Sequence, residues 1–130
     1  MKYFLGKEMK SGTSFNHAVE LVTQELKKEG FGVLTEIDIK KTFKNKLNKD
    51  VGNYVILGAC NPNYAFQALQ EDSKLGVFLP CNVIVEELEN GKIEVSAVNP
   101  IAAMMAAKNS KVENFAEEVQ DKLKRVIANL

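Results

Sequence analysis

Two cysteines are the residues of this chain best suited to chemistry. Cys60 and Cys81 lie twenty-one positions apart, and each is followed by asparagine and stands close to a proline. In Ala59-Cys60-Asn61-Pro62 the thiol sits just before a helix signal. Asparagine can cap a helix, and proline suits its first position, where the missing N–H is not needed. A thiol at a helix entrance feels the positive end of the backbone dipole, which favours the nucleophilic thiolate. Gly58 just upstream allows close backbone approach, a setting in which small anions bind, although Pro62 removes one amide donor. Cys81 reads differently. It alternates with Val77, Leu79, Val83 and Val85, an entirely apolar face that makes it a buried, unreactive thiol. Both cysteines fall near strand ends and can be neighbours, but a bridge needs Cα atoms within about 7 Å, which spacing does not dictate. With one histidine in the chain, two cysteines do not complete the four ligands of a structural zinc, and no metal is expected.

The remaining polar groups offer less. His17 lies among Glu20, Gln24 and Lys28 on the polar side of a helical pattern, with no nucleophile in sequence reach, and reads as a surface histidine. Lys40, Lys41, Lys44, Lys46 and Lys49 surround Phe43 and Leu47. Such a basic amphipathic segment can meet phosphates or a membrane surface, but without interleaved aromatics it reads as a solvated helix with two apolar anchors. Glu36 and Asp38 share one face of a strand and read as solvated carboxylates rather than an acid–base pair. Met104 and Met105, in an alanine-rich run, can line a pocket or a subunit contact, since methionine adapts to irregular surfaces. The dinucleotide-binding, P-loop, zinc-protease, Cys-x-x-Cys and nucleophile-elbow patterns are all missing from the sequence, so no cofactor is expected.

These residues are positioned by a regular succession of elements. An opening strand is expected within residues 2–9. Ser14 then caps a helix whose stripe is Phe15, Ala18, Val19, Val22 and Leu26, stopped by Gly30. Residues 31–39 alternate as a half-buried strand with Val33, Thr35 and Ile37 on one face and Glu36 and Asp38 on the other. A short surface helix spans residues 40–48, and residues 54–60, apolar on both faces, form an interior strand. Asn61-Pro62 opens a helix. Residues 75–88 make the longest strand-like run, with a bend, bulge or edge position at Pro80. Asn90-Gly91 is a hairpin turn, returning as a strand with Ile93, Val95 and Ala97 inward. Asn99-Pro100 opens a second short helix, and Ser110 with Glu113 matches a capping box before a long stripe from Val112 to Leu130. This order predicts an α+β domain, helices packed on one face of a mostly antiparallel sheet.

Bulk properties agree. The chain has 130 residues, 45% hydrophobic and 26% charged, enough for one domain (residues 1–130) with a real core and no need of disulfides. Seventeen basic residues balance seventeen acidic ones, so no global field attracts nucleic acid or an anionic membrane, and self-association is less resisted. No stretch is long and apolar enough to span a bilayer, and charge interrupts the N-terminus too early for a secretory signal, so the cytoplasm is the expected compartment.

Three segments carry a family resemblance: Gly30-Phe31-Gly32-Val33-Leu34-Thr35-Glu36-Ile37-Asp38, Ile56-Leu57-Gly58-Ala59-Cys60-Asn61-Pro62 and Leu79-Pro80-Cys81-Asn82-Val83. In this order they resemble the bacterial and archaeal domain of unknown function family 302, over about residues 15–107. The resemblance implies a fold of the TATA-binding-protein-like type, with a β-α-β-β-β-β-α core to which this chain adds short helices, and a homodimer. It brings no activity, substrate or cofactor, and a fold alone does not license DNA binding. Two functions follow. The first is a non-catalytic module, a homodimer holding a small ligand or partner near the Cys60 turn and Met104, with Cys60, Asn61, Cys81, Asn82 and Met104 as candidate site residues. The alternative is a thiol-dependent redox or sulfur-handling protein with Cys60 as nucleophile, Cys81 as support, and Asn61 and Asn82 orienting groups through their amides. The first is preferred, because no general base stands beside Cys60.

Overall fold

A computed structural model of the chain describes residues 2–130. In chain order the elements are β1 (Phe4–Glu8), α1 (Phe15–Lys28), β2 (Gly32–Asp38), α2 (Ile39–Leu47), β3 (Tyr54–Cys60), α3 (Pro62–Glu71), β4 (Cys81–Glu87), β5 (Ile93–Val98), α4 (Pro100–Met104) and α5 (Ser110–Ala128). Two 3-10 turns, Ser73–Phe78 and Met105–Ala107, follow α3 and α4. The strands form one sheet in the order β1-β5-β4-β3-β2, and every neighbouring pair is antiparallel. This is the α+β architecture read from the sequence, with α2, α3 and α4 added to a β-α-β-β-β-β-α succession.

One face of the sheet is sealed by α1 and α5. Val22 and Leu26 of α1 and Leu123 and Val126 of α5 meet Leu57, Val83, Val85 and Val95, and all eight are essentially without solvent contact. The stripes of the two helices supply this layer because residues three and four apart share a helix face. Local chemistry sets their ends. The Ser14 hydroxyl accepts from the His17 N–H at 3.2 Å and starts α1. At its other end Gly30 takes φ +87°, so that its N–H reaches the Lys27 carbonyl and the Phe31 N–H the Leu26 carbonyl. These two bonds close the helix and deliver Phe31 into the core. Asn90-Gly91 makes the β4–β5 turn, with Gly91 at φ +82° and the Leu88 N–H on the Lys92 carbonyl at 2.8 Å.

Three expectations change. First, β2 carries a bulge between Val33 and Thr35 that leaves Leu34 unpaired. Beyond it the alternation reverses: Thr35 and Ile37 pair with Gly58 and Ile56, whereas Glu36 and Asp38 pair with Leu57 and Val55. The two carboxylates therefore belong to the helical side, and β2 is an exposed edge strand rather than a half-buried one. The Asp38 carboxylate accepts from the Lys41 N–H at 2.9 Å and caps α2. Second, residues 75–80 are not strand. Asp72 accepts from the Lys74 N–H and opens a 3-10 turn, the Leu79-Pro80 peptide is cis, and β4 begins only at Cys81. Val77 is 80% exposed and does not share the face of Cys81. Third, the cap of α5 is Asn109, whose carbonyl oxygen accepts from the Lys111 and Val112 N–H groups, so Ser110 lies inside the helix and makes no capping box.

Candidate functional site

The β3–α3 and Pro80–β4 corners are adjacent, because Ala59 pairs with Cys81. Over them lie α3, α4 and α5, with a second cluster of buried side chains: Ala68, Leu75, Met104, Val112 and Ala116. The two cores do not fuse. Between them a cavity of about 50 Å³ remains, walled by small residues of α3 and α5 and by the Pro80 corner. Cys60, Asn61, Cys81 and Met104 all border it, so four of the five residues singled out from sequence come together. Asn82 does not line it. It alternates with Cys81 and pairs with Gly58, and it borders a neighbouring hollow shared with Leu79, Pro80, Cys81 and Met104 and another beside Phe4.

Alternation also separates the thiols. Cys81 stands in line with Val83 and Val85 and packs on the main core, as its apolar neighbours suggested. Cys60 pairs with Gly32 and falls in line with Gly58 on the other side of the pleat. Both are free thiols. Burial pushes the Cys81 thiol up to about 11, and the nearby Cys60 acts in the same direction. Cys81 is therefore protonated at neutral pH and a weak nucleophile. The close approach that Gly58 permits serves packing rather than an anion. A side chain there would run into Thr35 and would come within 2.9 Å of the Pro80 ring. His17 is exposed, 3.8 Å from Glu20, and remote from the cavity lining.

Asn61 and Asn99 hold their helices in different ways. The Asn99 carbonyl oxygen caps α4 by accepting from the Ile101 N–H at 3.1 Å, and it also accepts from Gln120 of α5. Asn61 makes no cap; its amide crosses to donate to the Glu29 carbonyl at 3.2 Å, at the end of α1. The Glu29 carboxylate in turn holds Arg125 of α5 at 2.9 Å. Tyr64, on the cavity wall, has its hydroxyl pKa raised, by burial first and then by its hydrogen bond to Glu118. This bracing of α1, α3 and α5 was invisible in the sequence, because Glu29 and Arg125 lie 96 positions apart. The small residues Ala65, Ala68 and Ala116, which leave the cavity open, were likewise missed. Among the described residues no group of three or more histidine, cysteine and acidic side chains is placed to hold a metal ion, and no helix is long and apolar enough to cross a membrane.

The architecture is thus a five-stranded antiparallel sheet backed by two helices, with a small apolar cavity under a lateral group of helices. The fold is shared by a solved structure, that of an uncharacterized conserved protein DUF302 from Bacillus stearothermophilus. That chain is 26% identical, with a TM-score of 0.89 over 99% of this chain and 98% of the other. The chain belongs to the family named domain of unknown function DUF302, whose model matches residues 7–130. No curated protein matches it.

Proposed function

We propose that this protein is a non-catalytic module that acts as a homodimer and holds a small apolar ligand, or the apolar tip of a larger one, in the cavity between β3, α3, α4 and α5. The observation that carries the reading is the cavity's lining: apart from Asn61 and Tyr64 its side chains are apolar or sulfur-bearing. A pocket of this composition rewards displacement of water by carbon. At about 50 Å³ it is smaller than the cavity of about 150 Å³ that admits benzene. The ligand is therefore a group of a few heavy atoms unless α3 moves outward. Nothing in the lining pairs a nucleophile with a base, which favours binding over turnover. A thiol-dependent role would fall to Cys60 alone, since Cys81 holds its proton to about 11.

Xenon is the suitable probe. Under a few atmospheres it is expected to shift the methyl resonances of Met104 and Ala68 in the wild-type protein and to leave Ala116→Leu, which fills the space, unaffected. Equal shifts in both proteins, or none in either, would overturn the cavity reading.

A further inference from the structure

The face of the sheet opposite α1 and α5 has no helical cover comparable to theirs. Antiparallel register lays Ile37, Ile56 and Ile84 side by side across β2, β3 and β4. Ile37 is 44% exposed and the other two are half-buried. Beside the isoleucines, the adjoining row reads Tyr54, Glu86, Glu94 and Glu8 across β3, β4, β5 and β1. Three carboxylates thus stand directly opposite one another, an arrangement that destabilises a sheet left by itself. Lys92 holds Glu8 at 3.1 Å, but among the described residues neither Glu86 nor Glu94 has an ion-pair partner.

The matching charge lies on α2. Its stripe of Ile39, Phe43 and Leu47 leaves no residue buried, and Leu47 is 61% exposed. Ile39 and Phe43 border a hollow with Tyr54, Ile56 and Glu86, which places the helix along the rim of this same face. By helical geometry Lys40 and Lys46 flank the stripe on either side, and neither has an ion-pair partner among the described residues. The helix begins where β2 ends, at the end of the sheet that carries the carboxylate row, but on the opposite lateral edge from β1.

We infer that this face is the homodimer contact, with the twofold axis running along the strands. The inference rests on the homodimer reading above and assigns its surface. An axis in that direction keeps the carboxylate end of both sheets together and exchanges the β2 edge with the β1 edge. With the axis over β4, it brings α2 of each copy over β1 and β5 of the other, so Lys40 and Lys46 meet Glu8 and Glu94. Ile84 then meets its copy, while Ile56 and Ile37 lie over the small residues of the partner's β5 and β1. An axis across the strands would set α2 over the far end of the partner sheet, where no carboxylate row lies. Each contact off the axis occurs twice, as a closed twofold interface requires. Nucleic acid fits poorly, because the carboxylate row repels phosphate.

The test uses the full chain in sedimentation equilibrium across micromolar concentrations. Wild type is expected to be a dimer that weakens with salt. Glu94→Lys is expected to raise the dimer Kd by about 100-fold, since facing like charges cost several kcal/mol. Lys40→Glu with Lys46→Glu should do the same, and the triple variant should recover most of the loss. Zero-length carbodiimide cross-linking of mixed nitrogen-14 and nitrogen-15 protein should join Lys40 or Lys46 to Glu8 or Glu94 between copies, with no variant needed. A monomeric wild type overturns the homodimer reading and this inference together. A dimer indifferent to Glu94→Lys and cross-linked elsewhere overturns only the assigned surface. A monomer whose lysines instead retain DNA in a low-salt gel shift overturns both and makes α2 a nucleic-acid contact.

Discussion

Asn61-Pro62 and Asn99-Pro100 are the same dipeptide at the same kind of place, the step from a strand into a helix. Both prolines begin their helices. At Asn99 the asparagine does what the motif promises and more. It is 5% exposed, caps α4, accepts from Gln120 and donates to the Lys2 carbonyl at 2.9 Å. At Asn61 the amide leaves its own helix and serves the end of α1. Proline acts through a fixed φ and a missing donor, which are local and travel with the residue. The asparagine amide bonds to whatever the fold places nearby, so its role cannot be read from two residues.

Mutations can break this contrast. The largest effect is expected for Asn99→Ala, which strands Ile101, Gln120 and the Lys2 carbonyl in a buried site and should cost about 2–3 kcal/mol in urea unfolding. Gly30→Ala comes next. Its φ of +87° and the Asn61 amide 3.1 Å from the added carbon should together cost about 1–2 kcal/mol, measured the same way. Asn61→Ala should cost about 1 kcal/mol and leave the helicity of α3 unchanged by circular dichroism, because no cap is lost. A cost equal to that of Asn99→Ala would erase the distinction.

A last effect, confined to alkaline pH, concerns Cys81, on the cavity that Asn61 borders. Its pKa is about 11 in the folded protein against an ordinary thiol value of 9.0. The unfolded chain therefore releases the proton first. The thiol's contribution to stability is fully present below about pH 9 and is lost as pH rises to about 11. Urea melts of wild type and Cys81→Ala at stepped pH should show their difference drifting in favour of the variant across that window. A difference independent of pH would mean that the thiol is not held in its neutral form.

Much of the fold was legible where the physics is local. The stripes of α1 and α5, the Asn90-Gly91 turn and both Asn-Pro entrances appear where the sequence places them. Cys60, Asn61, Cys81 and Met104 meet at one cavity because the end of β3, the start of α3, the start of β4 and the last residue of α4 are neighbours in the fold. Other features depend on events that composition does not mark. Counting alternation through β2 fails at Leu34, because a bulge inserts one residue without any glycine or proline to announce it. Leu75, Val77, Phe78 and Leu79 look like strand, yet the turn opened by Asp72 and the cis peptide at Pro80 bend them away from the sheet. Asn109 takes the cap from Ser110 by standing one residue earlier with a carbonyl oxygen that reaches two amides. Asn82 borders a neighbouring hollow with Cys81 and Met104 instead, which strand parity alone does not decide, since Cys60 shares its side of the pleat.

The bulge in β2 has a further consequence for how large the sheet can grow. An antiparallel sheet with an unpaired outer strand invites another strand to join, and repetition of that step makes a fibre. Here the outermost strand is kinked at Leu34 and carries Glu36 and Asp38 turned toward the helical side. An incoming strand would meet a broken ladder and two negative charges. The same irregularity that confounds counting along β2 thus opposes strand addition at this edge.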